Sequence, residues 1–450
     1  MVDSRCARER VGLALPVLLA LLACAQGGAN DNQRGVGNEP GGVKLGIGDI
    51  AVAPRGGYVL FKGGEQLAVG WPLKSQVLPL PVRSPTRLAF STARPVVYVG
   101  STAAGDDLLA LDVVERKELW KTAIPDASTQ RMRLVVSPDD RYLVLGAGFE
   151  LQVFDTRDGR LASSHSLPQA LVDVDVLPDS SRALVTTQHV WQGSADTPDT
   201  EIVMIELASG NERRIHVPNC SDDVVITPDG SRALLAPTTC RRDPVSVIEL
   251  ASGSERFERN LPGFGPVAMA PDGRTAVAFL DGAQIDAALF DDPAKIPDAG
   301  EARYQLMIID AQTLGYEFEP VGEELPRYAM TPDGQVLLVD STWFADEPVR
   351  LFDTATRQFR RLSGPAVALD NFALSSDSRH AYVLQAGVFD VDVTRAIVSS
   401  LPVPFVPENI NIAADDRSLY LRRDEHRVCV FDLADQTCTN ELRFEVVVTL

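Results

Sequence analysis

The sequence predicts an all-β fold, a β-propeller of about eight blades with four antiparallel strands in each, and three observations predict it. One unit recurs along the chain at a spacing of about 40–50 residues, the period of a propeller blade. Each copy opens on an apolar run, a tight turn built around Pro-Asp-Gly, and a second apolar run. Each copy then carries a third run that ends in an acid and a second short turn, followed by a fourth run. A unit this short cannot bury its faces alone, so neighbours must stack, and radial closure then protects the sheet edges.

Residues 1–23 read as an export signal. Arg5, Arg8 and Arg10 give a basic start, and the apolar run from Val11 to Ala23 is too short to span a bilayer. The run ends in Leu21-Leu22-Ala23-Cys24. That box resembles the bacterial lipoprotein signal, which implies acylation of Cys24 as the first mature residue and, with Ala25 next, sorting to the outer membrane. Ordinary cleavage near Ala23 or Ala25 is the alternative. Several acyl chains on one Cys anchor a protein stably. Residues 24–47 are rich in Gly and Asn and lack apolar periodicity, so they read as a flexible tether.

The propeller is expected over residues 48–450. Its clearest copy is 222–261, where Thr227-Pro228-Asp229-Gly230 separates two apolar runs and Val245-Ser246-Val247-Ile248-Glu249-Leu250 leads into Ala251-Ser252-Gly253. Pro presets φ, Asp can bond its own backbone, and Gly accepts positive φ. The first turn recurs at Pro54-Arg55-Gly56-Gly57, Thr92-Ala93-Arg94-Pro95, Pro138-Asp139-Asp140, Pro178-Asp179-Ser180, Pro271-Asp272-Gly273, Pro332-Asp333-Gly334, Ser376-Asp377-Ser378 and Ala414-Asp415-Asp416. These make nine copies, the first the weakest. Four to eight blades are usual, so the first copy is expected to share a blade with the last, for eight blades within a range of seven to nine.

At these residues the chain resembles bacterial propeller repeats of the YVTN and WD-like type, whose signature is Ser/Thr-Pro-Asp-Gly followed by Val-Ile-Asp and a Thr/Ser-Gly turn. The resemblance covers roughly residues 48–450 and implies a fold more than a function, since that family includes scaffolds, receptors and a few enzymes. One copy departs from it. Leu109-Ala110-Leu111-Asp112 is followed by Lys117-Glu118-Leu119-Trp120-Lys121, which looks like the tryptophan-docking repeat of quinoprotein propellers and of a related outer-membrane-assembly lipoprotein. The usual Gly before the Lys is replaced by Glu115-Arg116.

Strand alternation sorts the loops. The two tight turns of every blade fall on one face of the disc, and the second-to-third loops and blade connections fall on the other. Four long loops crowd one sector of that second face: Thr186–Glu201, Ala236–Pro244, Asp281–Arg303 and Ser341–Pro348. They carry Trp191, Phe290, Trp343 and Phe344 among acids that include Asp291 and Asp292. Aromatics with acids on long loops of a rigid scaffold have the composition of a binding surface. The competing reading is a set of solvated insertions whose aromatics fold back over blade edges. A calcium site in Asp286–Asp298 matches no EF-hand spacing.

Of six Cys, Cys6 leaves with the signal and Cys24 goes to lipid. The other four belong to an exported chain, which favours disulfides. Cys220 and Cys240 flank the Pro228-Asp229-Gly230 hairpin, and Cys429 and Cys438 flank the turn at 433–435, so these two pairs are expected. No Cys-x-x-Cys spacing or neighbouring His suggests metal.

The recurring carboxylates Asp112, Asp155, Glu206, Glu249, Asp310, Asp353 and Asp432 close the third run of their copies. A residue every blade needs serves the fold, whereas catalysis needs a unique constellation. The five His are scattered, and no nucleophile elbow, phosphate loop or zincin motif is present. No catalytic residue, metal ligand or cofactor is therefore assigned. The net charge of −20 repels phosphate backbones and argues against nucleic acid. The expected function is a membrane-anchored extracytoplasmic scaffold that binds a protein or peptide through its long loops and meets the membrane only through its lipid anchor. The alternatives are a lactonase-like propeller hydrolase using the central channel and an outer-membrane assembly factor.

Overall fold

Each sequence repeat becomes its own sheet. In the computed structural model the described residues form nine antiparallel sheets, each containing four consecutive strands in chain order. Outside the described residues lie 1–42, 45–49, 54–56, 64–65, 72–75, 84, 102–106, 125–131, 188–199, 222, 238–242, 251–254, 298–301, 324–326, 341–348, 370, 425 and 444–450. The nine blades span residues 50–83, 85–123, 133–166, 171–217, 223–261, 264–322, 327–361, 371–401 and 409–443.

Burial falls from the second strand to the rim, and composition follows it. In blade 3 the second strand, Tyr142–Ala147, is buried along its whole length, which is why it reads as an unbroken apolar run. The outermost strand, Leu161–Ser166, buries only His165 and carries Ser at three positions. The same contrast holds in blade 2 between Val96–Ser101 and Lys117–Ala123, where only Trp120 is buried.

The core is a ring of nine apolar clusters, each shared by two neighbouring blades. The cluster that closes the ring joins Val52, Val59 and Phe61 of blade 1 to Tyr420, Val428, Val430 and Leu442 of blade 9. Blades 1 and 9 each own all four of their strands. The expectation that the first copy shares a blade with the last is therefore corrected: the propeller has nine blades, and among the described residues no exchanged strand closes it. Among the described residues the seam is closed by side-chain packing.

The tight-turn face is tied together blade by blade. The residue after Pro-Asp, or its equivalent, takes a left-handed φ: 59° at Asp140, 60° at Ser180, 67° at Gly273, 71° at Gly334, 63° at Ser378 and 56° at Asp416. That residue stands over the turn of the preceding blade. At Gly334 there is no room for more, since a Cβ would come within 2.6 Å of Ala270 Cβ, whereas at Gly230 the nearest atom would be 3.7 Å away and only φ favours Gly. Where it is Ser or Asp, its oxygen accepts a backbone N–H from the preceding turn. Asp139 N–H donates to Ser180 Oγ, Asp333 N–H to Ser378 Oγ and Ser376 N–H to Asp416, each at 2.9 Å.

One strand lies outside the repeat pattern. Val43–Lys44, within the span expected as tether, pairs antiparallel with the first strand of blade 2, Pro85–Phe90, placing Val43 opposite Leu88 and Lys44 opposite Arg87. It occupies the inner edge of that sheet, on the side of the disc axis. First strands run from the long-loop face to the tight-turn face, so this antiparallel partner runs the other way.

Candidate binding faces

The long-loop sector is built on four consecutive blades, 4 to 7, and the described part of it is the insertion between the second and third strands of blade 6. Three short 3-10 turns follow one another there, Gly282–Gln284, Ala287–Leu289 and Pro293–Lys295, each opened by an Asp. Asp281 accepts from Ala283 N–H at 3.0 Å, Asp286 from Ala288 N–H at 3.0 Å and Asp292 from Ala294 N–H at 2.9 Å. Such caps satisfy backbone donors that a short turn leaves free.

Phe290 is placed differently from a solvent-facing anchor. Its ring is 8% exposed and packs on Tyr316 and Phe318, at centroid distances of 6.1 and 5.8 Å. Tyr316 and Phe318 belong to the outermost strand of blade 6, Tyr316–Gly322. Ile285, Leu289 and Ile296 pack against the same apolar cluster between blades 5 and 6. The insertion thus straps the outer edge of its blade, and the fold-back reading is the right one for Phe290. Asp291 is held outside the strap: its carboxylate oxygens each lie 2.8 Å from Arg259 Nη2. Lys295 lies over the Tyr316 ring at 5.2 Å. The exposed skin of the strap is made of Ala283, Gln284, Asp286, Ala287, Ala288 and the run Asp291 to Lys295; its three acids and one amide outnumber its single cation. Trp191, Trp343 and Phe344 lie outside the described residues.

Buried carboxylates near the long-loop face tie blade to blade. Asp173 accepts from Val224 N–H of blade 5 at 3.4 Å and lies 3.4 Å from Arg133 of blade 3. Asp340 accepts from Leu369 N–H, on the approach to blade 8, at 2.8 Å. Sequence reading missed both. The available signal is an acid inside or closing an otherwise apolar run, Leu171-Val172-Asp173-Val174 and Val336-Leu337-Leu338-Val339-Asp340.

The recurring carboxylates serve turns. Asp310 accepts from Gln312 and Thr313 N–H, Asp353 from Ala355 and Thr356 N–H, and Asp432 from Ala434 and Asp435 N–H. Backbone donation by Thr313 lowers the Asp310 pKa, and backbone donation by Thr356 lowers that of Asp353. Asp155 is lowered to about 2, first by the Arg157 side chain, which donates to both its oxygens. In the first turns, Asp229 is lowered by the Thr227 hydroxyl and then by Ser231 N–H. Charged carboxylates so engaged bond turns and do not shuttle protons.

The histidines stay apart. His165 lies 3.5 Å from Glu212, and His380 Nδ1 lies 2.8 Å from Asp390, which raises the His380 pKa. Among the described residues no group of three or more His, Cys, Asp or Glu is placed to hold a metal ion, and no helix is long and apolar enough to cross a membrane.

Trp120 does dock. Its indole N–H donates to the Thr156 carbonyl at 3.0 Å, and its ring fills the space beneath Gly159, where a Cβ would meet it at 2.5 Å. Blade 2 thereby grips the last turn of blade 3. Arg116, standing where the usual Gly is missing, still takes the left-handed conformation at φ 55°.

Cys429 and Cys438 form the expected disulfide, with Cα atoms 5.7 Å apart. They are diagonal and not opposite, since Cys429 pairs with Glu441 and Cys438 with Phe431 across a bulge. Cys220 is disulfide-bonded and buried; its expected partner Cys240 lies outside the described residues.

The tight-turn face holds an open cleft of about 350 Å³ between blades 2 and 3, lined by Ala93, Arg94, Asp139, Asp140, Arg141 and Arg157. Sequence reading did not single out this seam.

No family model matches the chain, and no curated protein does. Solved structures do. The chain is similar to a eukaryotic initiation factor at 15% identity, covering 75% of this chain and 82% of that one with a TM-score of 0.53. It is similar to the dihydro-heme d1 dehydrogenase NirN, in complex with DHE, at 12% identity, covering 80% and 76% with a TM-score of 0.50. The C-terminal WD40 domain of Sif2 aligns at 11% identity over 85% and 95% with a TM-score of 0.46. At such identities the likeness shows shared architecture alone: the chain is a β-propeller.

Proposed function

We propose that this propeller is a protein- or peptide-binding scaffold, exported and held to the bacterial outer membrane by lipid on Cys24, that takes its partner on the insertion-bearing sector of blades 4 to 7. The observation that carries the reading is the construction of the blade 6 insertion. Three Asp caps and a buried Phe290 fix its backbone, so a short acidic surface is presented without an ordering cost at binding. Rigid scaffolds that carry ordered loops on one face commonly bind through them. The partner surface that fits is basic, since Asp286 and Asp292 stand exposed on it and complementary charge speeds and orients encounter.

Deleting the insertion would uncover Tyr316 and Phe318 and so confound binding with folding. The cleaner test adds bulk and charge to its outer skin with Ala287→Arg and Ala294→Arg, which leave Phe290 and the caps in place. A photo-crosslinker at Ala288 in the wild type should capture a discrete basic partner. The double variant should bind that partner at least tenfold more weakly with an unchanged melting temperature. Undiminished affinity would reject this face.

A further inference from the structure

We infer that the seam between blades 2 and 3 on the tight-turn face is a binding site for a small ligand bearing a carboxylate or phosphate group. It rests on different residues from the docking sector and on the opposite face. Three guanidiniums meet there in a chain whose net charge is −20. Two of them are aimed by buried acids. Arg94 donates from Nε to Asp140 Oδ2 at 3.1 Å and from Nη2 to Tyr98 Oη at 2.9 Å. Arg157 donates from Nε and Nη2 to Asp155 at 3.0 and 2.6 Å. Each keeps Nη1 for another acceptor.

The two buried acids are already spent. Asp140, 8% exposed, also accepts from Ser91 Oγ at 2.8 Å and Thr92 N–H at 3.3 Å. Asp155, 7% exposed, also accepts from Arg157 N–H at 2.9 Å. Asp139 accepts from Ser137 Oγ at 2.6 Å and Arg141 N–H at 3.1 Å. Arg141 is different again. Its guanidinium sits 5.1 Å from the Tyr142 ring centroid and makes no ion pair or side-chain hydrogen bond among the described residues. It offers the cleft an unused planar fork, which suits a two-oxygen acceptor.

The seam departs from the repeat at two of its three arginines, Arg94 and Arg157, whereas Arg141 stands where blades 6, 8 and 9 carry Arg274, Arg379 and Arg417. Positions equivalent to Arg157 in blades 2, 4, 6, 7, 8 and 9 hold Val114, Ala208, Gln312, Ala355, Thr394 and Ala434, so Arg157 is not a turn requirement. The blade 2 turn abandons Pro-Asp-Gly and places Arg94 there. Trp120, the departure of the same blade, clamps the turn that carries Arg157 through its bond to Thr156. Three exceptions at one seam outline a site laid over the repeat. Its volume is at the lower end for small-molecule pockets, about 300–1,000 Å³.

The test is isothermal titration of the full chain at low salt with inorganic phosphate and, separately, with succinate. Saturable one-site binding of at least one probe is expected, weakened tenfold or more by Arg141→Gln, which leaves the ligand-free melting temperature unchanged. Arg141→Lys, retaining charge without the fork, should fall between the two. Phosphate binding alone assigns a phosphorylated ligand, succinate alone a carboxylate, and both a general oxyanion site. The proposal is overturned by saturable binding of neither probe, by undiminished binding in Arg141→Gln, or by an equal loss in the rim variant Arg256→Gln.

Discussion

Asp155 shows how single residues in this protein are committed to structure. Its carboxylate accepts from both the backbone and the guanidinium of Arg157, and its pKa falls from 3.8 to about 2. A group whose folded pKa is depressed contributes stability that is fully present above the unfolded value and is lost as pH falls through the folded one. Chemical denaturation should therefore show stability dropping between about pH 4 and about pH 2, and Asp155→Asn should flatten that drop; an unchanged acid profile would contradict it. Recurrence along the chain was enough to assign the third-strand acids to turns. Phe290 was not assignable in that way. What buries it is a pair of rings, Tyr316 and Phe318, on a strand that begins beyond the end of the insertion, and sequence distance does not reveal which edge a loop will strap.

At the scale of the element, the turns decide register, and several are made against residue preference. Arg116, Leu314, Arg357, Ala396 and Gln436 hold left-handed φ values of 53–58° where Gly159 and Gly210 hold theirs without a Cβ. The left-handed region costs an L-residue about 1–2 kcal/mol, partly offset by the greater unfolded-state freedom of Gly, about 0.4–1 kcal/mol. Arg116→Gly should therefore stabilise the protein by roughly 0.5–1 kcal/mol in urea unfolding. Gly159→Ala should destabilise it by several times as much, because its Cβ meets the Trp120 ring at 2.5 Å as well as φ of 69°. A loss from Arg116→Gly would show that the turn is not strained. The missing Gly was legible in the sequence. That the turn forms regardless was not, because pairing of Asp112 with Lys117 across the hairpin imposes it from both strands.

At the scale of the molecule, strand order and four-strand blades could be read from the repeat, but the blade number could not. Ring size is set by the small angle between neighbouring sheets summed around the axis, and no single repeat encodes that sum. The seam between blades 9 and 1 is the one neighbouring pair not joined by consecutive chain, and an apolar cluster holds it among the described residues. Phe61 is fully buried there, and Phe61→Ala should cost about 3–5 kcal/mol. Hydrogen exchange should rise first in blades 1 and 9; Phe154→Ala, within the covalently bridged seam of blades 2 and 3, should open no such pair. Uniform exchange in both variants would mean that the ring has no preferred point of opening.

The short strand at Val43–Lys44 bears on how the disc is carried. It runs against Pro85–Phe90 along the inner edge of blade 2, so the strand itself points from the side of the tight turns toward the long-loop face. A load borne by the residues upstream is then applied at the hub and not at the rim. If the proposed anchor on Cys24 holds the chain, the disc would ride as a parasol rides on its stick, with the described insertion of blade 6 on the canopy side, turned away from the handle.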